Sequence, residues 1–183
     1  AVIFWLNQGA NMSATAAIDT SVPNWYALHT RSRHEKIVRD RLEGSGIEPF
    51  LPLRRALRQW SDRKTIAELP LFSGYCFAKF SLNARTEVLQ IPGIVTIVGN
   101  VGPEPIPIEE MDALRTVSTS QRLCDTHLDL TEGAWVEVVR GPLAGIRGKL
   151  VRKAGQDCIV IRVHLLQQAA AVHIDASEVV PVS

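Results

Sequence analysis

Hydrophobic and polar positions follow two different patterns along the chain, and the pattern changes near residue 118. From residue 24 to residue 117, runs of alternating apolar and polar residues are interspersed with segments of helical spacing. Beyond Glu132, only short apolar runs separated by turn residues remain. The pattern predicts an α+β domain over 24–117, a polar linker over 118–131 and a small all-β domain over 132–183, after a disordered tail over 1–23.

The first domain is predicted to open with a strand and a basic helix. The run from Trp25 to His29 is rich in aromatic residues and is typical of a strand. Ser32 is followed three residues later by Glu35, which is the spacing of a capping box, so we expect a helix with Ser32 as its N-cap. Its buried stripe is expected to contain Ile37, Val38 and Leu42.

The rest of the first domain is predicted to complete an antiparallel sheet with flanking helices. We place a projecting hairpin at 47–69, a strand at 71–80, a helix at 82–90, a strand at 94–98 and a last helix from 108 onward. Alternation in the second of these segments puts Tyr75 and Phe77 on one face and Cys76, Ala78 and Phe80 on the other. The last helix is expected to bury Ile108, Met111 and Leu114.

The second domain is predicted to be a small five-stranded barrel. The five apolar runs lie at 136–139, 148–151, 158–163, 171–174 and 179–182. Glycines between the first two runs allow a tight loop, and we expect Gly148 to let the chain turn directly into the next strand. Residues 165–171 have good helix propensity, so a helical hairpin is the alternative to the barrel.

Charge and cysteine content narrow the classes of function. The formal net charge is only +1, but Arg and Lys are concentrated in residues 31–64 and 140–162, which indicates a basic face on a nearly neutral protein. The three cysteines show neither a Cys-x-x-Cys pair nor the spacing of zinc ligands. We therefore expect free thiols in a reducing compartment, with no metal and no other cofactor.

No segment of the sequence is expected to span a membrane or to act as a secretion signal. The apolar stretch Ala1–Leu6 is too short to span a bilayer and lacks the basic region of a signal peptide. A cytoplasmic protein is the resulting prediction, and we expect translation to begin at Met12.

No catalytic set can be recognised in the sequence. None of the five histidines has an acidic or cysteine partner at a telling spacing. The glycines at 141–148 lack the Lys-Ser/Thr ending of a phosphate-binding loop. The prediction is a protein that is not an enzyme.

Each predicted domain contains a recognisable motif. Residues 132–138 followed by 140–150 look like a KOW motif at the first hairpin of an SH3-like barrel. The KOW loop comprises Gly141, Pro142, Leu143, Gly145 and Gly148. Residues 25–28, 69–77 and 91–95 are similar to the NusG N-terminal (NGN) domain, with Ser73 in place of the usual proline. Together the two motifs resemble the NusG/RfaH family.

The resemblance implies a factor for transcription elongation and antitermination that suppresses pausing or termination. In this family the NGN domain binds the clamp helices of the largest RNA polymerase subunit. The matching residues here are Trp25, Phe72, Tyr75, Phe77 and Ile97. Arg85 and Thr86 lie where the family makes a second contact, with the gate loop across the polymerase cleft.

The resemblance also implies that the basic face contacts upstream DNA or the displaced non-template strand. Arginine contacts to the DNA backbone would supply affinity without reading sequence. The candidates are His29, Arg31, Arg33 and Arg41, followed by Arg54, Arg55 and Arg58 on the hairpin. We expect the factor to act as a monomer.

The KOW domain of this family recruits partners, either a small-subunit ribosomal protein or the termination factor Rho. Leu143 stands where many members have phenylalanine, which favours a specialised paralogue over a housekeeping factor. The alternative is a ribosomal or RNA-binding KOW protein. Such proteins are usually far more basic than this chain, because RNA phosphates demand charge.

Overall fold

A computed structural model of the chain describes residues 19–59, 64–120, 123–127, 133–153, 156–166 and 168–182. Most of the tail predicted over 1–23 lies outside these residues. The elements of the first part are β1 (Asn24–Thr30), α1 (Glu35–Gly44), β2 (Glu48–Phe50), β3 (Leu53–Gln59), β4 (Lys64–Pro70), β5 (Tyr75–Phe80), α2 (Arg85–Gln90), β6 (Ile94–Ile97), β7 (Pro105–Ile106) and α3 (Ile108–Thr119). Those of the second part are β8 (Leu123–His127), β9 (Ala134–Val138), β10 (Arg147–Lys153), β11 (Gln156–Val163), β12 (Gln168–His173) and β13 (Val179–Pro181).

The first sheet is antiparallel and has the order β2-β5-β1-β6, with β7 also paired to β1. Helices α1 and α2 pack on one face, where Val38, Leu42 and Val88 join the apolar cluster. Helix α3 packs on the other face through Met111 and Leu114. The predicted antiparallel sheet with flanking helices is confirmed.

The two faces of β5 divide as alternation predicts. Cys76, Ala78 and Phe80 belong to the cluster under α1 and α2. Tyr75 and Phe77 belong to the cluster under α3. The pairing of β1 with β5 sets Ala27 opposite Phe77 and His29 opposite Tyr75, so Trp25, Tyr75 and Phe77 lie on the α3 side, whereas Tyr26 and Phe80 lie on the other.

The start of α1 differs from the prediction, because Ser32 does not cap it. The helix begins at Glu35 with His34 as N-cap and without a side-chain capping bond. The Glu35 carboxylate accepts a hydrogen bond of 2.8 Å from the backbone N–H of Gly74, and its side chain is buried. The carboxylate that a capping box would use is therefore held by a tertiary contact.

Two residues predicted to be buried are exposed. Ile37 is 44% exposed because the buried side of α1 follows Glu35, Val38 and Leu42, at steps of three and four residues. Ile108 is 50% exposed because it is the first residue of α3, ahead of the turns that lie on the sheet. The rest of the predicted stripe on α3 is confirmed, and Val117 extends it.

The segment 47–69, predicted as one projecting hairpin, is divided between two sheets. Strand β2 pairs with β5, whereas β3 leaves the sheet and pairs with β4 in a separate two-stranded hairpin. The backbone N–H of Leu71 donates a hydrogen bond of 2.8 Å to Pro52 O and closes the base of this hairpin. Its tip, at 60–63, lies outside the described residues.

The second sheet has the order β13-β9-β10-β11-β12-β8. Strands β9 to β13 match the five predicted strands, but closure into a barrel is not observed among the strands that the structure describes. Strand β8 pairs with the free edge of β12, and both β8 and the end of α3 lie within the segment 118–131. Residues 168–173 are a strand and not a helix, because this segment pairs with β11 along its length.

Gly148 has a different role from the predicted turn. It lies within β10, opposite Val136. A Cβ at this position would lie 2.4 Å from Val160 O and 2.8 Å from Ile159 Cγ1. The missing side chain therefore allows β10 to approach β11, whereas the loop itself depends on Gly141 and Gly145, whose φ angles are +82° and +89°.

Candidate functional site

Five aromatic side chains form what we call the aromatic face of the first sheet: Trp25, Phe50, Phe72, Tyr75 and Phe77. The ring centroids of Phe72 and Phe77 are 6.2 Å apart in an edge-on arrangement, and those of Phe50 and Phe77 are also 6.2 Å apart. Trp25 meets Phe50 edge-on at 6.5 Å. These distances fall in the range of favourable aromatic pairs, so the face is a continuous packed layer.

Most of the aromatic face is buried in this structure. Trp25, Phe72 and Phe77 are exposed by only 3%, 1% and 0%. Tyr75 is half-buried, and its ring centroid lies 5.5 Å from that of the exposed His29. Tyr75 and His29 therefore form a margin at which the face reaches solvent.

The second part of the chain supplies some of this cover. Val163, Leu166 and Ala170 are buried in the same cluster as the aromatic face, and Leu165 packs against it. Val117 on α3 is in turn buried among residues of the second sheet. The β11–β12 connection thus lies against the surface that the resemblance assigns to polymerase.

The other residues assigned to polymerase lie on different surfaces. Ile97 pairs opposite Leu28 and is buried in the cluster under α1 and α2, on the far side of the sheet from Tyr75. Arg85 and Thr86 are exposed in the first turn of α2. The structure brings together Trp25, Phe72, Tyr75 and Phe77, but it does not bring the remaining three to them.

Arg115 holds α3 against the aromatic face, and no sequence signal distinguished it. The centre of its guanidinium lies 4.6 Å from the Trp25 ring centroid and 5.8 Å from that of Phe50. It also forms ion pairs with Glu48 at 3.2 Å and with Asp112 at 3.6 Å. The cation therefore connects α3, β1 and β2 at the edge of the face.

Five of the seven predicted DNA-binding residues fall into two groups, and the first lies beside the turn at 91–93. The backbone N–H of Arg31 donates a hydrogen bond of 2.8 Å to Gly93 O. The Arg41 guanidinium donates one to Pro92 O. Both side chains are exposed.

The second group lines a cleft of about 800 Å³ between the start of α1 and the hairpin β3–β4, which we call the basic cleft. His29, Arg33 and Arg54 line it, together with Lys36, which our list of candidates omitted. Arg55 is exposed on the opposite side of the hairpin, in a smaller cleft with Glu68 and Ser118–Ser120. The side chain of Arg58 lies outside the described residues.

The KOW loop contributes to the core as well as to the surface. Gly141, Pro142 and Gly145 are exposed. Leu143 is fully buried in a cluster with Val136, Val138, Ile146 and Ile159. The side chain that replaces the family's phenylalanine is therefore a core residue in this arrangement.

The thiols of Cys76 and Cys158 are buried. Burial raises the pKa of the Cys76 thiol to about 12. Among the residues described, no three His, Cys, Asp or Glu side chains are grouped as metal ligands. None of the helices within the described ranges has the length and apolar character needed to span a membrane.

Comparison with known proteins identifies relatives over most of the chain. The chain is 26% identical over 143 residues to the transcription termination/antitermination protein NusG of Bacillus subtilis, covering 69% of this chain and 80% of that protein. It is 24% identical over 136 residues to the protein of the same name from Campylobacter jejuni, covering 68% and 77%. These alignments extend beyond the first sheet.

A solved structure shares the fold. The structure titled "Domain interaction in Thermotoga maritima NusG" aligns with 90% of this chain and 99% of its own, with a TM-score of 0.56 and 20% sequence identity. The family model described as "NusG: Transcription termination factor nusG" matches residues 23–115, which contain the first sheet, α1, α2, the larger part of α3 and the aromatic face. The chain therefore belongs to the NusG family of transcription termination/antitermination factors.

Proposed function

We propose that this NusG-family factor binds the clamp helices of the largest RNA polymerase subunit through its aromatic face. The observation that carries the proposal is the gathering of Trp25, Phe72, Tyr75 and Phe77 on one side of the first sheet. Aromatic residues clustered in this way are the usual anchors of protein interfaces. Tyr75, at the margin with His29, is the first residue that a partner helix would meet.

Full docking on this face requires the second sheet to move away. Val163, Leu166 and Ala170 occupy the cluster that contains Trp25, Phe72 and Phe77, so the clamp helices and the β11–β12 connection compete for the same apolar surface. Polymerase then selects the conformations in which the connection has left. The cost of opening lowers the apparent affinity of the intact factor.

The bound factor acts without chemistry of its own. Contact of Arg85 and Thr86 with the gate loop on the opposite side of the polymerase cleft would hold the clamp closed around nucleic acid. The exposed cations Arg31, ahead of α1, and Arg41, in its last turn, would contact upstream or non-template DNA. A closed clamp disfavours the paused state, which is a shift of populations.

We further propose that the second sheet, once released, recruits a partner, either a small-subunit ribosomal protein or Rho. Leu143 is buried, so it cannot make this contact directly. Trp135 and Val180 are 51% and 41% exposed on the neighbouring strands β9 and β13. These exposed side chains provide a surface suited to a protein partner.

Capture of core RNA polymerase by the full-length factor tests the proposal. Tyr75→Ala should weaken capture about tenfold or more, as expected for an aromatic anchor. Tyr75→Phe keeps the ring and should bind nearly as well as the unchanged protein. If Tyr75→Ala is captured as well as the unchanged protein, the aromatic face is not the polymerase site. Retention of structured RNA on a filter without polymerase would instead support the RNA-binding alternative.

A further inference from the structure

We infer that the basic cleft binds a phosphodiester of a single DNA strand, as a nucleotide-sized site distinct from the group formed by Arg31 and Arg41. The inference rests on the proposed contact with DNA and specifies where one strand is held. The cleft measures about 800 Å³ and lies between the end of β1, the first turn of α1 and the hairpin β3–β4. A double helix is too wide to enter such a space, whereas a single nucleotide can.

The charge of the cleft suits a phosphate. Arg33, Lys36 and Arg54 line it together with His29, and the acidic residues among the lining are Glu35 and Glu68. The Glu35 carboxylate is directed to the backbone N–H of Gly74 at 2.8 Å. Arg33 and Lys36 are exposed at the start of α1, where an incoming anion can reach both.

The backbone at Arg33 gives the first independent observation. Its φ of +63° makes it the only non-glycine residue with a positive φ in the described ranges. A residue with a Cβ rarely adopts this conformation, and glycine or asparagine would fit it with less strain. Strained positions of this kind cluster at functional sites, and here the strained backbone sets the arginine at the cleft.

Thr30 gives the second observation. It lines the cleft, it is only 2% exposed, and its Oγ1 atom has no hydrogen-bond partner among the described residues. A buried hydroxyl without a partner is unfavourable, and such groups are uncommon in folded proteins. A phosphate oxygen is a strong acceptor, so a bound strand would satisfy this hydroxyl. Ser32 and Ser73 place two more hydroxyls in the lining.

The surroundings favour a nucleic-acid strand over a small anion. The side chain of His29 belongs both to the cleft and to the ring pair with Tyr75, whose centroids are 5.5 Å apart. Rings beside a basic groove are the usual platform on which the bases of single strands stack. A strand with its phosphate in the cleft could therefore set a base against this pair.

The test measures binding of a labelled oligothymidine of about 10 nucleotides to the full-length factor at low salt, by fluorescence anisotropy. Arg33→Gly removes the cation and relieves the backbone, so it should weaken binding about tenfold and lower the salt slope by about 0.7 without reducing thermal stability. Arg33→Lys should bind nearly as well as the unchanged protein. Thr30→Val keeps the shape, and it should weaken binding while the fold is as stable or more stable.

The control is Lys79→Ala, which removes one exposed cation on β5 outside the cleft and should change affinity by less than about twofold. Unchanged binding by Arg33→Gly overturns the inference. If Arg41→Ala loses binding while the cleft variants keep it, the inference is also overturned. The proposed contact with DNA then stands, but it lies beside residues 91–93. Failure of the unchanged protein to bind the strand overturns it too. So does release of the bound strand by inorganic phosphate alone, because the cleft would then be a site for a small anion. Capture of polymerase is read separately, so the two proposals can fail independently.

Discussion

Arg115 illustrates how a single side chain connects three elements. Its guanidinium lies over the rings of Trp25 and Phe50 and pairs with Glu48, which joins α3 to both β1 and β2. The side chain is 38% exposed, so solvent weakens its ion pairs and the stacking supplies most of the stabilisation. Its hydrocarbon stem adds packing that a shorter residue would lose.

Replacing Arg115 with Ala should lower the free energy of unfolding by about 1 kcal/mol, because the cation–π contacts and the packed stem are lost together. Urea denaturation of the full-length protein measures the change. Arg147→Ala is the matched control, since the Arg147 side chain is 69% exposed in its pair with Glu137 and should contribute less. Equal losses in the two variants would show that the rings add nothing.

The Cys76 thiol should be unreactive in the folded protein. Burial raises its pKa to about 12, so the thiol remains protonated at about pH 8, and the thiolate is the reactive form. Mass spectrometry after brief alkylation should find Cys76 unmodified in native protein and modified in urea. Rapid native alkylation would show that this part of the sheet opens.

At the scale of the element, the close approach of two strands in the second sheet depends on a glycine, which has no side chain. Gly148 lies within β10, and the space that its Cβ would fill is occupied by Val160 O at 2.4 Å. The carbonyl belongs to the backbone of β11 and cannot rotate away as a flexible side chain would. The spacing of β10 and β11 therefore depends on this glycine.

Gly148→Ala should destabilise the second sheet by about 2 kcal/mol or more, because either the strands separate or the new methyl group overlaps the carbonyl. Thermal unfolding followed by circular dichroism measures the loss. In contrast, Gly44→Ala at the end of α1 meets nothing within 4 Å and should leave stability unchanged or slightly raised. A harmless Gly148→Ala would refute the close approach.

At the scale of the whole molecule, the two parts of the chain share their apolar surfaces. Residues of the β11–β12 connection are buried with the aromatic face, and Val117 of α3 is buried with the second sheet. We still propose domains at 24–117 and 132–183, because the sequence between them is polar and lacks a clear period. Under the proposed function, the shared surface is a docked arrangement that polymerase would displace.

Leu166→Asp should increase capture of polymerase by the full-length factor. Leu166 is 7% exposed within the shared cluster, and a carboxylate there would disfavour docking of the second sheet without changing the aromatic side chains. The gain in apparent affinity for polymerase equals the reciprocal of the fraction of unchanged molecules in which the second sheet is undocked. Val180→Asp, at a site already 41% exposed, should give no gain. Equal capture by all three proteins would mean that docking does not compete with polymerase.

Local patterns predicted much of the fold because they record which side of each element is apolar. The alternation from Tyr75 to Phe80 assigned the two faces of β5, and the short apolar runs after Glu132 matched strands β9 to β13. The capping box at Ser32 failed because Glu35 bonds to Gly74, which is 39 residues away in sequence. A spacing motif cannot reveal a distant competitor for the same carboxylate.

The sequence by itself determined the family, the order of most strands and helices, and the residue types from which the candidate surfaces are built. These depend on neighbours along the chain and on motifs at fixed spacing. Only the tertiary structure decided that Ile97 lies on the opposite face from Tyr75, that Leu143 is buried, and that the second sheet covers part of the aromatic face. It also brought His29, Arg33 and Arg54 into one cleft beside the hydroxyl of Thr30. Burial and proximity depend on residues far apart in sequence, which only the packing of sheets and helices brings together.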